Sequence, residues 1–180
     1  MTGDRRLRIG VQLSFAGTGG EWAAKARRVE ALGYFTLCVP DHFDDQLAVR
    51  EAEIVSVNFD LSPGAIGTHF GATATAGATA ENVGWLREAA GDRFSDVELS
   101  HTAYLSTVND DRDAVAAGPG SGFGLDRDQV LAMPNFVMGT VAQIADELER
   151  RRDGLGFSDV VAGGECHEAV APVVARLAGR

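Results

Sequence analysis

The chain has 180 residues, with 26 acidic against 16 basic side chains and a net charge of -10. Nucleic-acid backbones and anionic membranes attract positive charge, so this balance argues against either as a general partner. No apolar run approaches the roughly 20 residues that span a bilayer, and Gln12 and Ser14 interrupt the stretch after the basic N-terminus that a signal peptide would need.

The length fits one domain over residues 1–180, and cytoplasm is the expected location. Leu7 to Leu13 reads as a strand, followed by the Gly-rich loop Gly17-Thr18-Gly19-Gly20. Glu21 to Leu32 reads as a helix, with Trp22, Ala26, Val29 and Leu32 at helical spacing and Gly33 placed to end it. Tyr34 to Val39 is a second strand, stopped by Pro40, and Glu53 to Phe59 a third. A loop with Pro63, Gly64, Gly67 and Gly71 follows, and Thr79 is placed to cap a helix over Ala80 to Ala90.

Val97 to Val108 contains a fourth strand. Asp111 to Ala117 and Asp126 to Met133 read as two short helices, with Gly118-Pro119-Gly120 ending the first. Thr140 caps a helix from Val141 to Arg152, whose C-terminal arginines suit the helix dipole. Ser158 to Ala162 is a fifth strand and Glu168 to Leu177 a last helix. Five strands alternating with helices predict an α/β fold with a mostly parallel sheet.

Parallel α/β scaffolds assemble their sites at the carboxyl ends of strands. His42 with Asp41 leaves the second strand at such an end, and imidazole titrates near neutral pH, so it can exchange a proton with a reacting group. A loop histidine capping the next turn is the plain alternative. Gln12 and Asn58 interrupt apolar strands near their carboxyl ends, where their amides either line a pocket or are satisfied within the sheet. The segment Gly71-Ala72-Thr73-Ala74-Thr75-Ala76 offers small residues and the hydroxyls of Thr73 and Thr75, which suit close approach by a ligand or phosphate; a plain connection has the same composition.

Gly120-x-Gly122-x-Gly124 lies between helices, the wrong context for a nucleotide loop. Gly163-Gly164, after the last strand, is better placed, and Gly17 to Gly20 shares with it a further reading as an open-sheet nucleotide binder. Cys38 and Cys166 are too few for a disulfide framework, and His69, His101 and His167 show no ligand spacing, so no metal site is expected.

Taken in order, several segments resemble the bacterial luciferase-like monooxygenase family, especially its deazaflavin-dependent oxidoreductase branch. They are Arg8-Ile9-Gly10-Val11-Gln12-Leu13, Arg27-Arg28-Val29-Glu30-Ala31-Leu32-Gly33-Tyr34, Val39-Pro40-Asp41-His42-Phe43 with Asp45-Gln46-Leu47, and Arg50-Glu51-Ala52-Glu53-Ile54-Val55. Thr79-Ala80-Glu81-Asn82-Val83, Gly139-Thr140-Val141-Ala142-Gln143-Ile144 and the tail from Ala171 to Arg180 continue the match. The resemblance implies a (β/α)₈ barrel fold, but that fold typically needs about 250 residues. A junction near residues 49–52 fits a shortened barrel that passes from the family's second strand to its sixth.

Strands one, two, six, seven and eight of such a barrel form one contiguous arc, in the order 6-7-8-1-2. The resemblance therefore implies an open, partial TIM-barrel-like arc with Tyr34 to Val39 and Glu53 to Phe59 as unpaired edges. Exposed apolar edges invite association, so a homodimer covering them is expected. For function, the resemblance implies oxidoreductase or monooxygenase chemistry with coenzyme F-420 or FMN on a small organic substrate. His42 would stand beside the coenzyme ring as proton donor or hydrogen-bond partner, with Gln12, Asp41, Asn58, Thr73 and Thr75 as cofactor contacts. A non-catalytic remnant acting as a binding or interaction protein is the alternative.

Overall fold

The computed structural model describes residues 5–12, 19–38, 54–58, 68–163 and 165–178. Its strands are β1 (Arg8–Gln12), β2 (Thr36–Cys38), β3 (Ile54–Ser56), β4 (Glu98–Ala103), β5 (Leu105–Val108), β6 (Phe136–Gly139) and β7 (Phe157–Gly163). The helices are α1 (Gly19–Ala31), α2 (Thr68–Ala74), α3 (Ala76–Ala90), α4 (Arg112–Phe123), α5 (Arg127–Ala132), α6 (Val141–Leu155) and α7 (His167–Leu177).

Five strands pair in the order β2-β1-β7-β4-β3, and every pairing is parallel. The sheet is the open, partial TIM-barrel-like arc that the order 6-7-8-1-2 anticipates, with β2 and β3 at its edges. A second, two-stranded parallel sheet joins β5 to β6. Among the described residues no helix is long and apolar enough to cross a membrane.

Local chemistry sets most element ends. Gly33 ends α1 with φ 83°, a conformation that costs a glycine little, and its N–H donates to the Glu30 carbonyl at 3.0 Å. Asp126 with Gln129, and Thr140 with Gln143, form reciprocal capping boxes that start α5 and α6. Gly156 closes α6 with φ 86°.

Four readings of the sequence change. The helix expected over Ala80 to Ala90 starts at Ala76, because Thr75 and not Thr79 caps it, accepting from the Ala78 N–H at 3.2 Å. Thr79 is buried one turn in and donates its hydroxyl to the Thr75 carbonyl at 3.1 Å. Helix α4 runs through Gly118-Pro119-Gly120 instead of stopping there. An interior proline costs about 3 kcal/mol, but Ala116, Gly120 and Phe123, at helical spacing, are buried against α5 and β6, and burial offsets that cost.

Val97 to Val108 holds two strands in two different sheets, separated at Tyr104. Phe136 to Gly139, read as no element, is the fully buried strand β6. Four apolar residues between a proline and a helix cap give no periodicity to recognise.

Alternation sorts the arc into two faces. Ile9 and Val11 of β1, Val160 of β7 and Ala103 of β4 share a core with Val29 of α1, Ile144 and Leu148 of α6, and Val173 and Leu177 of α7. This is the convex, helix-covered face. The intervening residues form the concave face, where the Ser100 hydroxyl donates to Asp159 at 2.7 Å; a register shift between β4 and β7 at Leu99/Ser100 breaks the alternation at Ser158, whose hydroxyl donates to Glu98 at 3.0 Å. Arg8 completes this polar stripe by pairing with Glu98.

Arg151 lies on the buried face of α6 and is 5% exposed. Its guanidinium donates to the carbonyls of Pro134 at 2.7 Å and of Met133 and Phe136 at 3.0 Å, and to Glu147 at 2.7 Å. One side chain thus satisfies the backbone that leads into β6, where buried carbonyls would otherwise lose their hydrogen bonds. Burial pulls its pKa down to about 9, so it stays charged at neutral pH.

His101, on the convex face of β4, is completely buried, and among the described residues neither ring nitrogen has a hydrogen-bond partner. Its ring meets Phe157 edge to face at 4.7 Å. Desolvation first, and then the charge of Arg151, push its pKa down to about 3, the Pro134 carbonyl pulling weakly the other way. Above pH 6.5 the imidazole is neutral whether the chain is folded or not, and nothing is lost. Between pH 6.5 and 3 the unfolded chain takes up a proton that the folded chain refuses, so stability falls by on the order of a few kcal/mol. His101→Leu removes both orphaned nitrogens at similar volume. Urea titrations should find it as stable as the parent or more so at pH 7, with a shallower loss of stability between pH 6 and 4. An equal pH slope in the two proteins would refute this role.

Candidate active site

The carboxyl ends of the five parallel strands form one rim of the arc. Gln12 ends β1, half-buried, opposite Cys38 on one side and Gly163 on the other. Gly163 is small for a physical reason. A Cβ there would come within 3.1 Å of the Ala103 carbonyl and 3.4 Å of the Tyr104 Cα, where the chain bends from β4 into β5.

That bend puts Tyr104 at the rim, 41% exposed, with partial burial raising its phenol pKa. A strand read as continuous through Val97 to Val108 hides this residue, because the bend carries no glycine or proline. Beside it the Ser106 hydroxyl donates to the Ala103 carbonyl at 3.0 Å, and the Cys166 thiol to the Gly163 carbonyl at 3.3 Å. Burial pushes the Cys166 thiol up, which disfavours the thiolate that a nucleophile requires.

Asn58 follows β3 at the same rim. Its amide donates to the Ser56 hydroxyl at 3.1 Å, and its carbonyl accepts from Asn135 at 3.3 Å. Asn135, 1% exposed, also donates to the Thr102 carbonyl at 2.9 Å, so it fastens the end of β3 to the end of β4. Of the two uses open to Asn58, satisfaction within the protein is the one seen. Asn135 had no sequence signal, since it stands in the unrecognised approach to β6.

Thr73 and Thr75 are not in a loop. Thr73 lies within α2, and the Thr75 hydroxyl caps α3. The small residues there serve helix packing: a Cβ on Gly71 would stand 2.2 Å from the Phe123 carbonyl at the end of α4. Gly120, from the glycine-rich run, is likewise tight against the Leu125 carbonyl, at 3.0 Å. Asp41 and His42 lie outside the described residues, as does Gly164.

The rim therefore brings Gln12, Asn58, Tyr104 and Gly163 to one end of the sheet. It sets the Gln12 amide and the Tyr104 phenol beside a close backbone approach at Gly163. The opposite, amino end is different in character: Arg5, Arg6, Arg8 and Glu98 line a cleft of about 320 Å³. Among the described residues no cluster of His, Cys, Asp and Glu fits a metal ion. Fold and rim together define a parallel α/β arc with its candidate site at the strand ends. No protein-family model matches the chain, and no curated protein matches it.

The packing account of Gly71 is open to test. Gly71→Ala should destabilise the protein by about 1–3 kcal/mol through overpacking, despite the better helix propensity of alanine. Thermal denaturation measures this directly. A stabilised variant would show that α2 does not meet Phe123 as described.

Proposed function

We propose that the chain is a luciferase-like oxidoreductase that binds coenzyme F-420 or FMN at the carboxyl ends of its strands and acts on a small organic substrate in the cytoplasm. The observation that carries this reading is the strand order β2-β1-β7-β4-β3. It is the order 2-1-8-7-6 that the resemblance requires of a barrel lacking its middle strands. The net charge of -10 is in keeping with a small-molecule substrate and against nucleic acid.

Gln12 and Tyr104 fit such a coenzyme, because their polar groups stand at the rim beside Gly163, where the backbone leaves no room for a side chain. Thr75 fits less well, its hydroxyl being held by the α3 cap. A bound coenzyme would supply hydride or oxygen chemistry; on this reading the rim residues would orient it and the substrate, and His42 would serve as proton donor or hydrogen-bond partner. Completion of the site belongs to a homodimer through the exposed edges of the sheet.

A second reading, a non-catalytic remnant that binds a partner, draws on two observations. The Asn58 amide is engaged by Ser56 and Asn135, and Thr75 by its helix. Titration with F-420 and with FMN, followed by fluorescence, separates the two. The oxidoreductase reading expects dissociation constants below about 100 µM, roughly 5.5 kcal/mol of binding, and no binding of either at that level sinks it. Given binding, His42→Ala should lower kcat about a hundredfold or more while the circular dichroism spectrum is kept. Unchanged turnover would remove His42 from the chemistry.

A further inference from the structure

The two edges of the arc are complementary to each other. In β2 the Phe35 N–H donates to the Ile9 carbonyl at 2.8 Å, so Ile9 and Val11 face β2; with Val11 level with Leu37, Thr36 and Cys38 turn their backbone groups toward β1, while Leu37 turns its own away. In β3 the Val57 N–H donates to the Ser100 carbonyl at 2.8 Å, so Val55 and Val57 face β4, while Ile54 and Ser56 face outward. Among the described residues neither outward set has a backbone partner. Large apolar side chains are exposed beside both edges, Phe35 at 63% and Ile54 at 54%. Such edges are templates for another strand.

Because all five strands run the same way, one edge accepts the other only in parallel. A twofold axis along the strand direction lays β2 of one copy against β3 of the second, and β3 of the first against β2 of the second. Two arcs then close into one ring. Homotypic pairing, β3 with β3 or β2 with β2, would instead be antiparallel and would leave two edges bare.

Side-chain alternation narrows the register. Thr36 lies level with Gly10, Val161 and Thr102, all on the concave face, and Ile54 lies opposite Glu98 on that same face. Thr36 against the partner's Ile54, with Cys38 against the partner's Ser56, keeps both faces continuous and overlays the two strands fully. Thr102 stands four residues beyond Glu98, so this register staggers the sheet by four residues per copy and by eight around the ring. Closing a sheet into a barrel requires such a stagger, with the strands tilted to the ring axis.

We infer that two copies of the chain close a ten-stranded parallel barrel through two β2–β3 seams. The polar stripe of Arg8, Glu98, Ser100 and Asp159 from each copy lines the enclosed side, and the two rims merge into one mouth. The partner's Asn58 then follows the partner's Ser56 just past the carboxyl end of β2, so each strand-end site is incomplete without the second copy. The inference deepens the proposed function by naming what completes its site, and only its statement about ligand binding rests on that reading.

The test uses the full chain with Cys38→Ser and Cys166→Ser as background. Thr36→Cys and Ile54→Cys are made singly and co-expressed, then treated with a short thiol crosslinker. The seam predicts covalent dimers when both variants are present and none from either alone, with light scattering giving twice the 19.0 kDa chain mass. Crosslinking of Ile54→Cys alone or Thr36→Cys alone, or a monomer at every concentration, overturns it. Ser56→Pro gives a second arm, because it removes an outward N–H and leaves the β3–β4 ladder intact. It should yield a monomer with unchanged circular dichroism, and a dimer persisting in that variant contradicts the seam. A crosslinked dimer that binds neither F-420 nor FMN overturns the oxidoreductase reading alone, and a coenzyme-binding monomer overturns the seam alone.

Discussion

The fold depends on the insertion of β7 between β1 and β4. These two strands do not pair with each other; each takes its parallel ladder from β7, which is buried along nearly its whole length. A segment near the C-terminus thereby joins the N-terminal β1–β2 unit to the β3–β4 unit. Parallel pairing demands a crossover for every connection and a cover on the convex face. Helices α1, α6 and α7 supply that cover through Val29, Ile144, Leu148, Val173 and Leu177. Without the β7 ladders the two units would share no sheet, and the strand ends would have no common rim.

The two faces solve different problems. On the convex face apolar burial drives assembly; among the described residues His101 stands there without a hydrogen bond, and Arg151 uses its guanidinium to satisfy the turn into β6. On the concave face the polar groups satisfy one another: Ser100 with Asp159, Ser158 and Arg8 with Glu98. Buried carboxylates of this kind are tolerable only when paired. The inner face of the arc is thus held by hydrogen bonds among polar groups.

The sequence carried the arc well. Strand and helix alternation, the capping boxes at Asp126 and Thr140, and Gly33 as a helix stop are local signals, and the resemblance added the order in which the strands pair. What stayed hidden was decided by tertiary packing. Pro119 reads as a helix end, yet burial of Ala116 and Phe123 carries α4 past it. Strand β6 has no alternation because it is buried throughout. The strand-end positions of Gln12 and Asn58 were legible. Tyr104 and Asn135 were not, since one marks a bend without glycine or proline and the other precedes an unread strand. At Gly71 to Ala76 the signal was real but its cause was different: small residues permit helix contact as readily as ligand contact.

All of this stands on the strand order, and cross-strand nuclear Overhauser contacts in the isotope-labelled protein measure it most directly. The order β2-β1-β7-β4-β3 predicts contacts between Gly10 and Val161 and between Val161 and Thr102, with none between Gly10 and Thr102. A direct contact between Gly10 and Thr102, or Val161 found at a sheet edge, would contradict it.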